Sequence, residues 1–253
     1  MPNWVYNGLT IEGNPDEVNK LVAQVGKPFT LAQENHGMGD INGAGFPTAI
    51  KQVTYSNPIF AFHNIVSYRD MGISDEEYAC QPTRSELDIN DPKFWEDTER
   101  LRVIDKSWYN WNITNWGVKW DVAVADDEKY PDTYMEGPTA NGENLVVYYN
   151  FNTPWGIPME ALLKLSSQYP TLLFTLSFEE ETGWGGEHEY LNGVHISGGE
   201  YGWKCRECDH EEEETPYCET CDYDMCPSCG WGEPDEACQT HSVQLESKEK
   251  AEV

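Results

Sequence analysis

The last fifth of the chain carries four pairs of residues able to bind a metal ion: Cys205/Cys208, Cys218/Cys221, Cys226/Cys229 and Cys238/His241. Two residues separate the members of each pair, so one turn of backbone can aim both side chains at a single ion. Eight such ligands suffice for two tetrahedral Zn²⁺ sites. The ions are expected to be structural, because protein supplies every ligand and no coordination position is left for water. Disulfides are the competing use of these cysteines. A CxxC pair closing on itself makes a strained ring, and the expectation of a reducing cytoplasm, drawn from the lack of a secretory signal, also disfavours them. Without metal, residues 203–242 are expected to lose their structure.

Spacing leaves the pairing of ligands open. A sequential ribbon gives the first two pairs to one ion and the last two to the other, whereas a cross-brace alternates them. Only Asp222 to Met225 separate Cys221 from Cys226, which favours adjacent pairs facing different ions. The run Cys218-Glu-Thr-Cys-Asp-Tyr-Asp-Met-Cys-Pro-Ser-Cys229 resembles the core of ZZ-type fingers. That resemblance implies a cross-brace, with Cys205, Cys208, Cys226 and Cys229 on one zinc and Cys218, Cys221, Cys238 and His241 on the second. ZZ fingers usually end in two histidines, and this chain has Cys238 and His241 there instead.

A second concentration of chemistry lies between Trp108 and Asp121, which hold four of the ten tryptophans. Trp108, Trp111, Trp116 and Trp120 are either the core of a subdomain or a stacking platform. Near-helical spacing favours the core. Asn112, Asn115, Lys119 and Asp121 interleave with the rings, a mixture that suits a nucleobase or small nucleotide and equally suits a satisfied polar network. Elsewhere the signals are weaker. The glycine-rich residues 35–47 lack a phosphate-loop signature and read as a flexible linker. His188 lies between Glu187 and Glu189, but strand alternation puts both acids on the face opposite the imidazole. His36, His63 and His195 have no spacing that ties them to a nucleophile. Cys80, outside the tail, reads as a free thiol packed as a small apolar residue.

With 45 acidic against 16 basic residues, the formal net charge is -29. Such a balance repels phosphate chains, so nucleic acid is disfavoured as a partner; the acidic surface either simply keeps the protein soluble or attracts a host protein with a basic surface. No apolar run is long enough to span a bilayer, and the protein is expected to be soluble and cytoplasmic.

These residues must be positioned by an α+β body. Residues 3–12 are rich in strand formers. Asn14-Pro15-Asp16-Glu17 starts a helix that continues through Val18, Leu21 and Val25, and the apolar run Ile59–Val66 reads as a buried strand. Residues 145–151 alternate, 158–168 form an amphipathic helix, and 172–178 alternate again. Strand, helix, strand, twice over, is the split βαβ of the ferredoxin-like fold, an antiparallel sheet with two helices. Residues 183–195 read as an edge hairpin. The expected organisation is a ferredoxin-like domain at 1–200 with an aromatic insertion at 67–140, a two-zinc module at 201–243 and a polar tail at 244–253.

Three segments resemble the YubB-type ferredoxin-like domain family of phages and conjugative plasmids: Met1-Pro-Asn-Trp-Val-Tyr-Asn-Gly-Leu-Thr-Ile11, Asn115-Trp-Gly-Val-Lys-Trp-Asp121, and Thr153-Pro-Trp-Gly-Ile-Pro158 with Tyr169-Pro170 and Glu179–Gly186. The likeness spans nearly all of residues 1–200. It implies the same fold and a mobile genetic element as source, and no particular activity. The chain departs from it in its cysteine-rich tail and in Val5, where many relatives have cysteine.

Together these features predict a non-enzymatic accessory protein of a phage or mobile element that binds a host protein and is stabilised by two zinc ions. A nucleotide-sequestering protein using the Trp-rich segment, and an enzyme with an unrecognised site, are the alternatives.

Overall fold

The computed structural model describes residues 3–34, 50–79, 106–129 and 133–204, and in the tail the backbone of residues 211–212, 217–218 and 223–224. Strand β1 (Trp4–Gly13) alternates as its sequence demands, with Val5, Leu9 and Ile11 fully buried on one face. Asn7 shares that face, and its Nδ2 donates to the Val5 carbonyl and to Thr153 Oγ1, both at 2.8 Å. Helix α1 (Pro15–Val25) begins where Asn14 Oδ1 accepts from the Asp16 amide at 2.9 Å, and it buries Val18, Leu21 and Val25. Strands β2 (Phe29–Glu34) and β3 (Ile50–Tyr55) form a separate two-stranded sheet. Short helices α2 (Asp75–Ala79) and α3 (Trp108–Trp116) follow.

The main sheet is assembled from β1, β4 (Tyr134–Asn141), β5 (Asn144–Pro154), β6 (Leu173–Glu180), β7 (Gly185–Leu191) and β8 (Val194–Tyr201). Its order is β4-β5-β1-β6-β7-β8, and every neighbouring pair is antiparallel. Helix α4 (Met159–Gln168) joins β5 to β6 and buries Ala161, Leu162 and Leu165. The fold is thus α+β and ferredoxin-like in part: β1, α1, β4, β5, α4 and β6 follow the split βαβ order, and β7 and β8 extend the sheet at one edge. The β7–β8 turn is made by Asn192 and Gly193, whose φ values of 51° and 74° are those a tight hairpin requires.

One strand assignment is corrected. The apolar run Ile59–Val66 is not a strand of the sheet; it holds a 3-10 turn at Phe62–Asn64. Burial there is real, since Phe60, Ala61 and Phe62 are fully inaccessible, but the amides bond within the turn, as Asn64, Ile65 and Val66 do, or to a distant side chain. The Asp121 carboxylate accepts from the amides of Phe62 at 2.9 Å and His63 at 2.8 Å. The strand that completes the pattern is β4, and the additional residues lie at 26–133, between α1 and β4, rather than at 67–140. Their aromatic side chains join the main core: the Phe60 ring meets Tyr149 at 4.9 Å and Phe151 at 5.4 Å.

In the tail, β9 (Trp203–Lys204) pairs with β10 (Glu211–Glu212), and β11 (Tyr217–Cys218) pairs with β12 (Tyr223–Asp224). Cys205, Cys208, Cys221, Cys226, Cys229, Cys238 and His241 lie outside the described residues, as do Cys80 and the glycine-rich segment at 35–47. Among the described residues, no group of His, Cys, Asp and Glu is arranged to hold a metal ion, and no helix is long and apolar enough to cross a membrane.

Candidate functional site

The segment from Trp108 to Asp121 splits into an inner and an outer part. Helix α3 turns Trp111, Asn112, Asn115 and Trp116 inward, with Trp116 fully buried. The polar side-chain atoms of Asn112, Asn115 and Trp116 serve the fold, while Trp111 Nε1 is buried without a hydrogen-bond partner among the described residues. Trp116 Nε1 donates to the Val66 carbonyl at 3.1 Å. Asn112 accepts from Tyr78 Oη at 2.8 Å and donates to the Lys119 carbonyl at 2.8 Å. Asn115 accepts from Lys164 Nζ at 2.9 Å and donates to the Trp111 carbonyl at 2.9 Å. Asp121 accepts from four backbone amides, those of Phe62, His63, Val122 and Ala123. Burial raises its carboxyl pKa, and the four N–H donors oppose that shift.

Gly117, with φ of 85°, ends α3 and turns the chain outward. A Cβ there would come within 3.2 Å of the Ile157 carbonyl, so the turn sits tightly on the residues just before α4. The chain then presents Lys119 and Trp120 on a surface completed by residues that sequence spacing did not connect. The ring centroids of Trp4 and Trp155 each lie 6.2 Å from that of Trp120. Lys119 Nζ stands 4.5 Å from the centroid of Trp120, 4.8 Å from Trp155, 5.6 Å from Tyr109 and 5.7 Å from Trp108. All four fall within cation–π range. Burial lowers the Lys119 pKa. Trp120 is 39% exposed and Trp155 53% exposed. Trp155 also has φ of 63°, a left-handed backbone that a bulky residue adopts only when its surroundings enforce it. Its amide donates to the Asn3 carbonyl at 2.9 Å, which fixes that geometry.

A second concavity lies on the face of the main sheet opposite α1 and α4. Strand register places Tyr6, Gly8, Tyr148, Ser177, Glu179 and Glu187 on this face. They line a cleft of about 640 Å³. A Cβ at Gly8 would approach Tyr148 Oη to 2.7 Å and Ser177 Oγ to 2.9 Å, so both hydroxyls would have to shift to admit a larger residue. Among the described residues, the lining includes carboxylates and no lysine or arginine. The sequence signal for this cleft was available in the small and tyrosine residues alternating with the apolar ones, but naming it required the strand order.

A third group was invisible in sequence. Strand alternation does separate His188 from Glu187 and Glu189, but the β7–β8 register brings His188 Nε2 to 3.0 Å from Glu200 Oε1 and His188 Nδ1 to 3.0 Å from His195 Nε2. Both imidazole nitrogens of His188 are thereby engaged.

Comparison with known proteins bears on the sheet. Residues 136–220 match the family described as "Ferredoxin-like domain in Api92-like protein". The crystal structure of a protein api92 from Yersinia pseudotuberculosis aligns over 81% of this chain and 100% of its own, at 11% identity and a TM-score of 0.39. No curated protein matches the chain. A ferredoxin-like domain of the Api92-like family therefore lies at residues 136–220, running from β4 through the sheet and into the tail.

Proposed function

We propose that the chain is a non-enzymatic binding protein of a phage or related mobile element, and that it engages a host protein through a basic segment seated in the sheet cleft. One observation carries this reading. The cleft joins tyrosine rings to the carboxylates of Glu179 and Glu187 on a molecule of net charge -29. Aromatic surface supplies contact area, and the field selects cationic partners and speeds their approach. The cysteine-rich tail is a two-zinc module in this reading. Support comes from its ligand spacing and from two short antiparallel ladders in the same stretch, Trp203–Lys204 with Glu211–Glu212 and Tyr217–Cys218 with Tyr223–Asp224. Short antiparallel strands flanking a CxxC pair suit tetrahedral thiolate coordination.

A labelled Arg/Lys-rich peptide, titrated by fluorescence anisotropy, tests the cleft. The pair Glu179→Gln and Glu187→Gln should weaken binding about tenfold or more and flatten its salt dependence. Unchanged affinity would remove the cleft from the proposal. For the tail, elemental analysis should find two zinc ions per chain, and chelation should strip structure from residues 203–242 while leaving the sheet intact. Zinc-free protein with the tail folded would refute the metal module.

A further inference from the structure

We infer that Lys119, Trp120 and Trp155 form a second binding site, separate from the sheet cleft, for a planar ring carrying a single anionic group, with a nucleoside monophosphate as the ligand class. Lys119 is the first reason. In a chain with 45 acidic residues against 16 basic ones, its ammonium group makes no ion pair among the described residues. Aromatic faces surround it instead, which hold the charge in place without using its N–H donors. A phosphate oxygen beside Trp120 and Trp155 would find those donors ready.

Trp155 is the second reason. A left-handed backbone is unfavourable for an L-residue, and a side chain 53% exposed recovers little of that cost through burial. The surrounding structure nevertheless sets the indole beside Lys119, 4.8 Å from its Nζ. Strain kept at an exposed aromatic residue is the pattern expected of a pre-organised binding surface. The half-exposed Trp120 adds a second face for stacking, and base–aromatic stacking tolerates any base.

Global charge sets the size of the ligand. A nucleic-acid strand would bring many phosphates against a net charge of -29 with one lysine to offset them, whereas a monophosphate brings one. Lys119 also lies apart from the face that holds Glu179 and Glu187, since neither tryptophan lines that cleft.

Isothermal titration of the full chain with AMP, GMP, CMP and UMP, with adenosine and inorganic phosphate as separate arms, tests the site. At least one monophosphate should bind, and more tightly than adenosine or phosphate alone. Lys119→Met should weaken the monophosphate about tenfold and leave adenosine unaffected. Trp155→Gly, which accepts the left-handed backbone, should weaken monophosphate and adenosine alike. Absence of binding by all four monophosphates would overturn the inference. Equal affinity for AMP and adenosine, or monophosphate binding that survives both substitutions, would also overturn it. A single-stranded oligonucleotide that binds more tightly than the monophosphates would do the same.

Discussion

Trp116 and Trp120 stand on either side of Gly117 and are put to opposite uses. Trp116 is fully buried, its ring meets Trp111 at 5.3 Å, and its N–H is spent on the Val66 carbonyl. Trp120 keeps 39% of its surface in solvent and offers a face beside a cation. The difference shows that density of tryptophan in a sequence does not itself mark a surface or a core. Here one left-handed glycine divides the two.

The comparison is broken most directly by truncating the inner ring. Trp116→Ala should cost about 3–5 kcal/mol, a large part of the roughly 5–15 kcal/mol typical of a domain, and urea denaturation would register it as a lower midpoint. A loss below about 1 kcal/mol would mean that the ring is not part of the core.

Acid probes the inner region through His63, which is stacked on Phe29 at 4.4 Å. Its pKa is lowered from 6.5 to about 4, first by burial and then by Arg69, with Asp70 opposing. The unfolded chain therefore takes up a proton near pH 6.5 while the native imidazole resists until about pH 4. The stability so gained is present above pH 6.5 and is lost as pH falls through that window. It amounts to about 3 kcal/mol at most. Denaturation midpoints of wild type and His63→Phe, compared across this range, should shift in the variant's favour as pH falls, because phenylalanine takes up no proton, and parallel curves would contradict the assignment.

At the outer region the effect should be smallest. Trp155→Gly relieves backbone strain while adding unfolded-state entropy, so its stability should change by less than about 1 kcal/mol in either direction. A loss above about 2 kcal/mol by thermal melting would place Trp155 with Trp116 rather than with Trp120.

Much of the body could be read from residue patterns. β1, α1, β5, α4 and β6 each bury one face, so their apolar periodicity is unmistakable. The second strand was not legible, for two linked reasons. Ile59–Val66 has the apolar content of a buried strand, but the amides of Phe62 and His63 are satisfied by Asp121 from far along the chain and those of Asn64, Ile65 and Val66 by carbonyls within the run. β4 is an edge strand whose residues are mostly exposed, and Pro138 lies at its register shift, so Tyr134–Asn141 shows no buried stripe. For the outer site, Trp108, Lys119 and Trp120 were identifiable as candidates. Trp4 and Trp155 were not, because only the antiparallel pairing of β1 with β5, which sets Trp4 opposite Pro154, brings them beside Trp120.

The position of β1 between β5 and β6 has a consequence for how this chain is divided. The stretch recognised as a domain begins at residue 136, yet the ladder it encodes is closed down its middle by residues 4–13. A fragment cut at the recognised boundary would leave two apolar strands facing a missing neighbour. A synthetic peptide of residues 3–13, supplied in trans, is the natural complement to such a fragment. The span matched to a family and the unit that can fold therefore have different borders in the same polypeptide.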